Sequence, residues 1–423
     1  MTSRRTKGPE RPSASKPGAD PQRPGRRRAL SHVGGAVRAA GDPELARALE
    51  VAARPAPGDD GRALTHGFHA WSARMHPHTA AALIRDVAAP GGVADPFMGG
   101  GTVLVEALCA GRPALGADIN PVALEVAWAR TRLWSLGRSG RLVGVAESVA
   151  ERAREILASE PVPRGLRELE GGWYDPPALA DLWSLDEAIA ELQDTGLRRM
   201  MRACLSSLVV KASRQRSDSV AELDADHGWV PAGRVPEWLV RRADEHARSL
   251  VALREAVPAG TDEPRLALRD ARAEVPAFAG TVGLVLTSPP YPGVYDYVQH
   301  QARRYALFRL DAREAADQEI GARRQSVRAG WMSVAWRFEQ DLGAALTAWR
   351  PWLAPGGRVA LVIGDGEHPE RVIRVLPLIE RAAAAAELVV MASVSQQRPV
   401  FGPARAQGDE HREEHIVLLE AAG

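Results

Sequence analysis

At 423 residues, with 45% hydrophobic and 25% charged residues, the chain suits either one large globular domain with insertions or two domains. Formal net charge is only +1, so attraction to nucleic acid must come from local patches and not from a global field. No run reaches the roughly 18 apolar residues of a membrane helix, and Cys109 and Cys204 make neither a disulfide framework nor a zinc cluster.

No signal-peptide core opens the sequence, so a cytoplasmic enzyme with no membrane partner is expected. Residues 1–28 carry nine basic residues against Glu10 and Asp20, amid Pro, Gly and Ser. Such a stretch cannot bury enough apolar surface to fold, and a disordered basic tail is expected over 1–41, either touching phosphates or merely solvated. Residues 42–56 read as a short helix and a Pro-rich link, and the patterned domain begins near Thr65.

Pro90 to Asp95 reads as a strand entering a Gly-rich loop, followed by a helix over 103–110 and a second strand over 113–119 that carries Asp118. Asn120 is a plausible N-cap for a helix over 121–133, with Pro121 in its first turn. The region 42–139 is thus one half of a nucleotide-binding domain. Residues 140–260 have helical periodicity over 142–157, 177–192, 197–212 and 238–256, and read as a helical insertion. Its Lys211, Arg214, Arg216, Arg241, Arg242 and Arg248 suggest target recognition, although Glu222, Asp224, Asp226 and Glu245 dilute the patch. Strands resume at 266–268, 282–286, 358–363, 388–393 and 414–419, with helices over 298–310, 334–353 and 370–386, so 261–423 is the second half. Strand, loop, helix, strand opens a doubly wound α/β sheet, here of seven strands.

Two loops carry the chemistry. In Asp95-Pro96-Phe97-Met98-Gly99-Gly100-Gly101-Thr102 the glycines allow close backbone approach, and the following helix N-terminus offers free N–H groups. Asp118, on the next strand, is placed to bind ribose hydroxyls. A dinucleotide would suit that spacing, but the Asp-Pro-Phe opening departs from the dinucleotide fingerprint. Thr287-Ser288-Pro289-Pro290-Tyr291 ends an apolar strand with a hydroxyl, a carbonyl, two rigid prolines and an aromatic ring. Those parts suit holding a planar ring by its amino group.

Together the loops resemble motifs I (DPFxGSGT) and IV (TSPPY) of the S-adenosylmethionine-dependent amino-methyltransferases of DNA, with Gly100 standing where that family has Ser. The resemblance implies a Rossmann-like methyltransferase sheet with S-adenosyl-L-methionine as cofactor, and methylation of cytosine N4 or adenine N6 on a flipped-out base. It implies catalytic roles for Ser288, Pro289, Pro290 and Tyr291, the tyrosine stacking on the base. It implies cofactor contacts from Asp95, Pro96, Phe97, Gly99, Gly101, Thr102, Asp118 and Asn120. Gly67 to Pro77 resembles the segment before motif I, which brings Phe68, His69 and Arg74 to the cofactor. Pro355 to Asp365 resembles a late family strand, and Asp270 is placed to meet the adenine amino group, or else closes a surface turn.

The order, cofactor loop first, is opposite to that usual for DNA enzymes with this motif, so an RNA base-amine methyltransferase is the alternative. A non-catalytic nucleic-acid-binding protein is the reading of another class. DNA is the preferred partner, and a partner nuclease, as in restriction-modification, is not legible. Tyr295, Tyr297, His300, Arg303 and Arg304 could hold the target or a phosphate, as could the loop Glu319 to Arg324, or else form a solvated face. His66, His69, His76 and His78 lack a metal-ligand spacing, and no metal is expected. Cytosine-C5 chemistry needs a Cys nucleophile, whereas both cysteines read as packing residues.

Overall fold

The computed structural model describes residues 36–56, 58–326, 329–399 and 411–422, the side chains of 398 and 399 apart. In chain order the strands are β1 (Val37–Gly41), β2 (Gly92–Asp95), β3 (Ala114–Asp118), β4 (Gln215–Ser217), β5 (Val220–Leu223), β6 (Arg265–Leu268), β7 (Val282–Thr287), β8 (Leu353–Gly364), β9 (Gly366–His368), β10 (Arg371–Ile373), β11 (Leu388–Pro399) and β12 (His411–Ala421). Eight of them build one mixed sheet in the order β1-β11-β12-β8-β7-β2-β3-β6. The run β8-β7-β2-β3-β6 is parallel throughout, whereas β12 lies antiparallel to both β8 and β11.

The sheet is buried on both faces, and the alternation along its strands shows how. In β8, Val359, Leu361 and Ile363 enter one core with Phe338, Leu342 and Trp349 of the helix Trp331–Trp349. Ala360 and Val362 enter the opposite core with Leu49, Leu83, Leu104 and Ala107 from the helices Pro43–Ala52, Pro77–Asp86 and Thr102–Cys109. β7 is buried at all six positions, as a central parallel strand covered on both sides must be.

The seven expected strands are all present, and an eighth was missed. Val37–Gly41, assigned to the tail over 1–41, pairs antiparallel with β11 from Val37↔Gln396 to Gly41↔Ala392. Four of its five residues are exposed, so this edge strand has no apolar alternation to read. Residues 1–35 of the expected tail lie outside the described residues.

The stretch 140–260 is mainly helical, with long helices Leu136–Ser159, Pro176–Ala190, Thr195–Ala212 and Arg234–Ala256, and it adds the small hairpin β4-β5. These helices bury a core of their own, including Leu182, Met200, Leu205 and Leu239, which also takes in Phe68, Ala129 and Phe308 from the main domain. The helix expected over 298–310 is split into Tyr297–His300 and Ala302–Leu307 at Gln301, and that over 370–386 is confined to Leu376–Ala385 because Arg371–Ile373 pairs with β9. Among the described residues no helix is long and apolar enough to cross a membrane.

Candidate functional site

Chain order reverses between β2 and β7: the strands β6, β3 and β2 run to one side, while β7 and β8 run to the other. Loops leaving two such neighbours part in opposite directions and open a crevice at the strands' carboxyl ends, where doubly wound sheets bind ligands. Both loops singled out in the sequence leave from this point. The Thr287 hydroxyl donates to Asp95 Oδ1 at 2.6 Å, and Phe97 N–H donates to the same oxygen at 3.2 Å, so one carboxylate ties the loops together.

The cleft there spans about 910 Å3 of space, its open mouth included. Asp95, Pro96, Phe97, Gly99, Thr102, Asp118, Asn120 and Asp270 line it, as do Arg74, Ser288 and Pro290. The glycine loop is held from three sides. Gly99 has φ +45°, and a Cβ there would sit 2.6 Å from Trp71 Nε1, so only glycine lets the indole lie on the loop. Gly99 N–H donates to Asp118 Oδ2 at 2.9 Å, while Oδ1 accepts from Asn120 N–H at 2.9 Å. From behind, the fully buried Arg130 donates to the Gly100 carbonyl, to Thr65 O at 3.1 Å and to His66 Nδ1 at 2.8 Å. His66 Nε2 in turn meets Glu106 at 2.6 Å. A Cβ on Gly100 would come within 2.8 Å of Arg130 Nη1, so a side chain there would press on the buried guanidinium.

Electrostatically the cleft is acidic and poorly compensated. Burial pushes the Asp95 carboxyl up to about 7, against the hydrogen bonds from Thr287 and Phe97, and pushes Asp118 up to about 6. Neither forms an ion pair among the described residues. Thr102 Oγ1 and Asn120 Nδ2, both buried beside the cleft, have no hydrogen-bond partner among them either. Two carboxylates short of positive charge fit a ligand that brings a cationic group, and the two unsatisfied polar atoms fit one that also brings hydrogen-bonding groups.

Several named residues point elsewhere. Phe68 does not reach the cleft: its ring stacks on His246 at 3.8 Å inside the core of the inserted helices. Arg74 lines the cleft, but its guanidinium holds the carbonyls of His66 and Gly61. Asn120 Oδ1 caps the helix Pro121–Arg130. Asp270 is gripped by Arg272, with Nη2 to Oδ2 at 2.6 Å and Nε to Oδ1 at 3.0 Å. Gly101 has φ +75° and starts the helix Thr102–Cys109 without lining the cleft. Pro289 is buried, and Tyr291 is turned into the core, its hydroxyl donating to Glu414 Oε1 at 2.9 Å.

The histidines serve the framework. His69 Nε2 meets Ser206 Oγ at 3.1 Å, His76 caps the helix Pro77–Asp86, and His78 binds the Val51 carbonyl. No group of three or more potential metal ligands occurs among the described residues. Burial pushes both thiols up to about 12, far from thiolate chemistry. Of the basic residues raised as phosphate contacts, Arg303 pairs with Glu170, Arg304 with Asp218 and Arg324 with Asp296 and Glu319. Within the insertion Lys211 lies over the Trp238 ring, and Arg214 pairs with Asp175, Arg241 and Arg242 with Glu245, and Arg248 with Asp244.

Trp71 and Arg130 were not among the expected site residues, and Glu319 was expected only at the edge of a loop that could hold the target or a phosphate. Trp71 is the bulkiest ring of the segment Gly67 to Pro77. Arg130 gave no signal, since an arginine in a last helical turn is ordinary. Scanned against models of protein families and against curated protein sequences, the chain gives no match.

Proposed function

We propose that this chain is an S-adenosylmethionine-dependent methyltransferase that acts on the exocyclic amine of a nucleobase, cytosine N4 or adenine N6, in DNA. The observation that supports the reading is the meeting of the two loops in one cleft, tied by Thr287 and Asp95 at the sheet's switch point. The bound cofactor would supply an electrophilic methyl group on a positively charged sulfur.

This chain's residues would bind and align. Asp118, half-buried at the end of β3, is placed for ribose hydroxyls, and its second task, fixing Gly99 N–H, makes loop shape and ligand contact depend on one side chain. A cationic group lying beside Asp95 would hold its carboxyl ionised, against the burial that pushes it up to about 7. Trp71 and Phe97 would exclude water, Phe97 being braced edge-on by Trp349 at 5.9 Å. The Ser288 hydroxyl, which makes no hydrogen bond among the described residues, can accept from an amine N–H. Drawing that hydrogen out of the ring plane localises the nitrogen lone pair. Ser288 would thereby hold the nitrogen ready to accept the methyl group, and the amine proton given up in exchange would pass to water. Alignment is the main source of rate in such a displacement.

A pair of variants tests this division of labour. Ser288→Ala is expected to cut methyl transfer on the order of 100-fold while the calorimetric Kd for S-adenosylmethionine stays within about threefold. Asp118→Ala is expected to raise that Kd at least about tenfold. Equal loss of cofactor binding in both variants would overturn the roles assigned.

A further inference from the structure

We propose that the aromatic plate of the substrate site is Tyr297, not the tyrosine of the Ser-Pro-Pro-Tyr loop. The proposal rests on the nucleobase reading and names the residue that would stack on the base. Tyr297 lines the same cleft as Ser288 and Pro290. Tyr291 does not, and it is locked: besides its bond to Glu414, its ring lies so close to Gly364 that an added Cβ would be 2.6 Å from Cε2. Swinging Tyr291 into the cleft would break a half-buried hydrogen bond and vacate a packed site.

Tyr297, by contrast, is held where it can serve. Its backbone N–H donates to Glu319 Oε1 at 2.6 Å. Arg324 Nη1 donates to Glu319 Oε2 at 2.5 Å and to Asp296 Oδ1 at 3.0 Å, and Arg324 Nη2 donates to the Ala316 carbonyl. Glu319 and Asp296 are 5% and 7% exposed, so this clamp is internal, and it uses up the arginine that the sequence offered as a phosphate contact. It joins the loop after β7 to the loop carrying Gln318, Glu319 and Ile320, which also line the cleft. Beyond Tyr297 lies Tyr295, buried, with ring centroids 5.4 Å apart at 39°. A ring whose backbone is pinned and which is backed by a second ring loses little freedom when a base stacks on it.

The test uses the full chain with S-adenosylhomocysteine bound and a single-stranded oligonucleotide carrying 2-aminopurine, whose fluorescence falls on stacking. Tyr297→Ala is expected to weaken oligonucleotide binding on the order of 10- to 100-fold and abolish quenching. Calorimetric cofactor Kd should stay within about twofold. Tyr297→Phe should restore both signals, which a purely structural role of the hydroxyl would not allow, and Tyr291→Phe should behave as wild type. Unchanged binding by Tyr297→Ala, a Phe variant as weak as the Ala variant, or a wild type that leaves the probe unquenched would each overturn the proposal. Methyl transfer by the wild type is scored separately. Tyr297-dependent stacking without any transfer would sink the enzyme reading and keep the plate.

Discussion

Replacing Asp95 by Asn should make the protein more stable and less able to bind its cofactor, and the gain in stability should grow with pH. Asp95 is 4% exposed, and its carboxyl is pushed from the ordinary 3.8 up to about 7, mainly by burial. Its folded pKa therefore lies above its unfolded one. Between 3.8 and 7 the folded protein holds the proton more tightly, so the contribution to stability is full below 3.8 and is lost as pH rises through 7. A displacement of about 3 units corresponds to about 4 kcal/mol of cost at pH 8, against roughly 1.5 kcal/mol at pH 5. Asparagine removes the charge yet keeps an Oδ1 that can accept from Thr287 and Phe97, so neither donor is stranded. Melting curves of wild type and Asp95→Asn at pH 5 and pH 8 read the effect directly. The variant's advantage should widen by roughly 2.5 kcal/mol between the two, while calorimetric affinity for S-adenosylmethionine at pH 8 falls at least about tenfold. An advantage that is constant or shrinks with pH would refute the assignment of a costly buried carboxylate. Stability gained where function is lost is the expected mark of a charge kept for a ligand.

Other perturbations separate framework from site. Phe68→Ala should destabilise the protein by about 3–5 kcal/mol in chemical denaturation, as truncation of a buried ring does, while S-adenosylmethionine affinity of the folded fraction is unchanged. Arg130→Met strands the Gly100 carbonyl, leaves the Thr65 carbonyl with Phe68 N–H alone and takes the donor from His66 Nδ1, so both melting temperature and cofactor affinity should fall, the latter about tenfold or more by calorimetry. Gly100→Ser should weaken the cofactor alone, and combining it with Arg130→Met should cost less than the sum if the two atoms truly collide. Gly364→Ala should lower the melting temperature and disturb Tyr291 fluorescence, because the added methyl meets that ring.

The framework was legible where burial imposes a pattern. β7 and the second half of β8 (359–364) are buried on both faces and read as apolar runs, and the two loops announce themselves because glycines and prolines restrict the backbone there. β1 was hidden because an exposed edge strand needs only backbone pairing, and the first turns of the helix expected over 370–386 are not helical because Arg371–Ile373 pairs with β9. Residue types at the site were readable, but side-chain direction was not. A tyrosine after Pro-Pro can face the cleft or the core, and here a carboxylate on β12, Glu414, draws it inward. Phe68 was claimed by His246, a residue 178 positions away in a block that shares no motif with the cleft. Arg130 and Glu319 act through backbone carbonyls and N–H groups, contacts that leave no mark on residue type.

The central proposed step is transfer of a methyl group to a base amine. Full-length protein incubated with methyl-labelled S-adenosylmethionine and, separately, DNA and RNA, followed by nucleoside mass spectrometry, measures that step. Label in N4-methylcytosine or N6-methyladenine from DNA, lost in Ser288→Ala, is the predicted result. Label confined to RNA would move the substrate to the other polymer, and cofactor binding with no labelled nucleoside from either would contradict the proposed reaction.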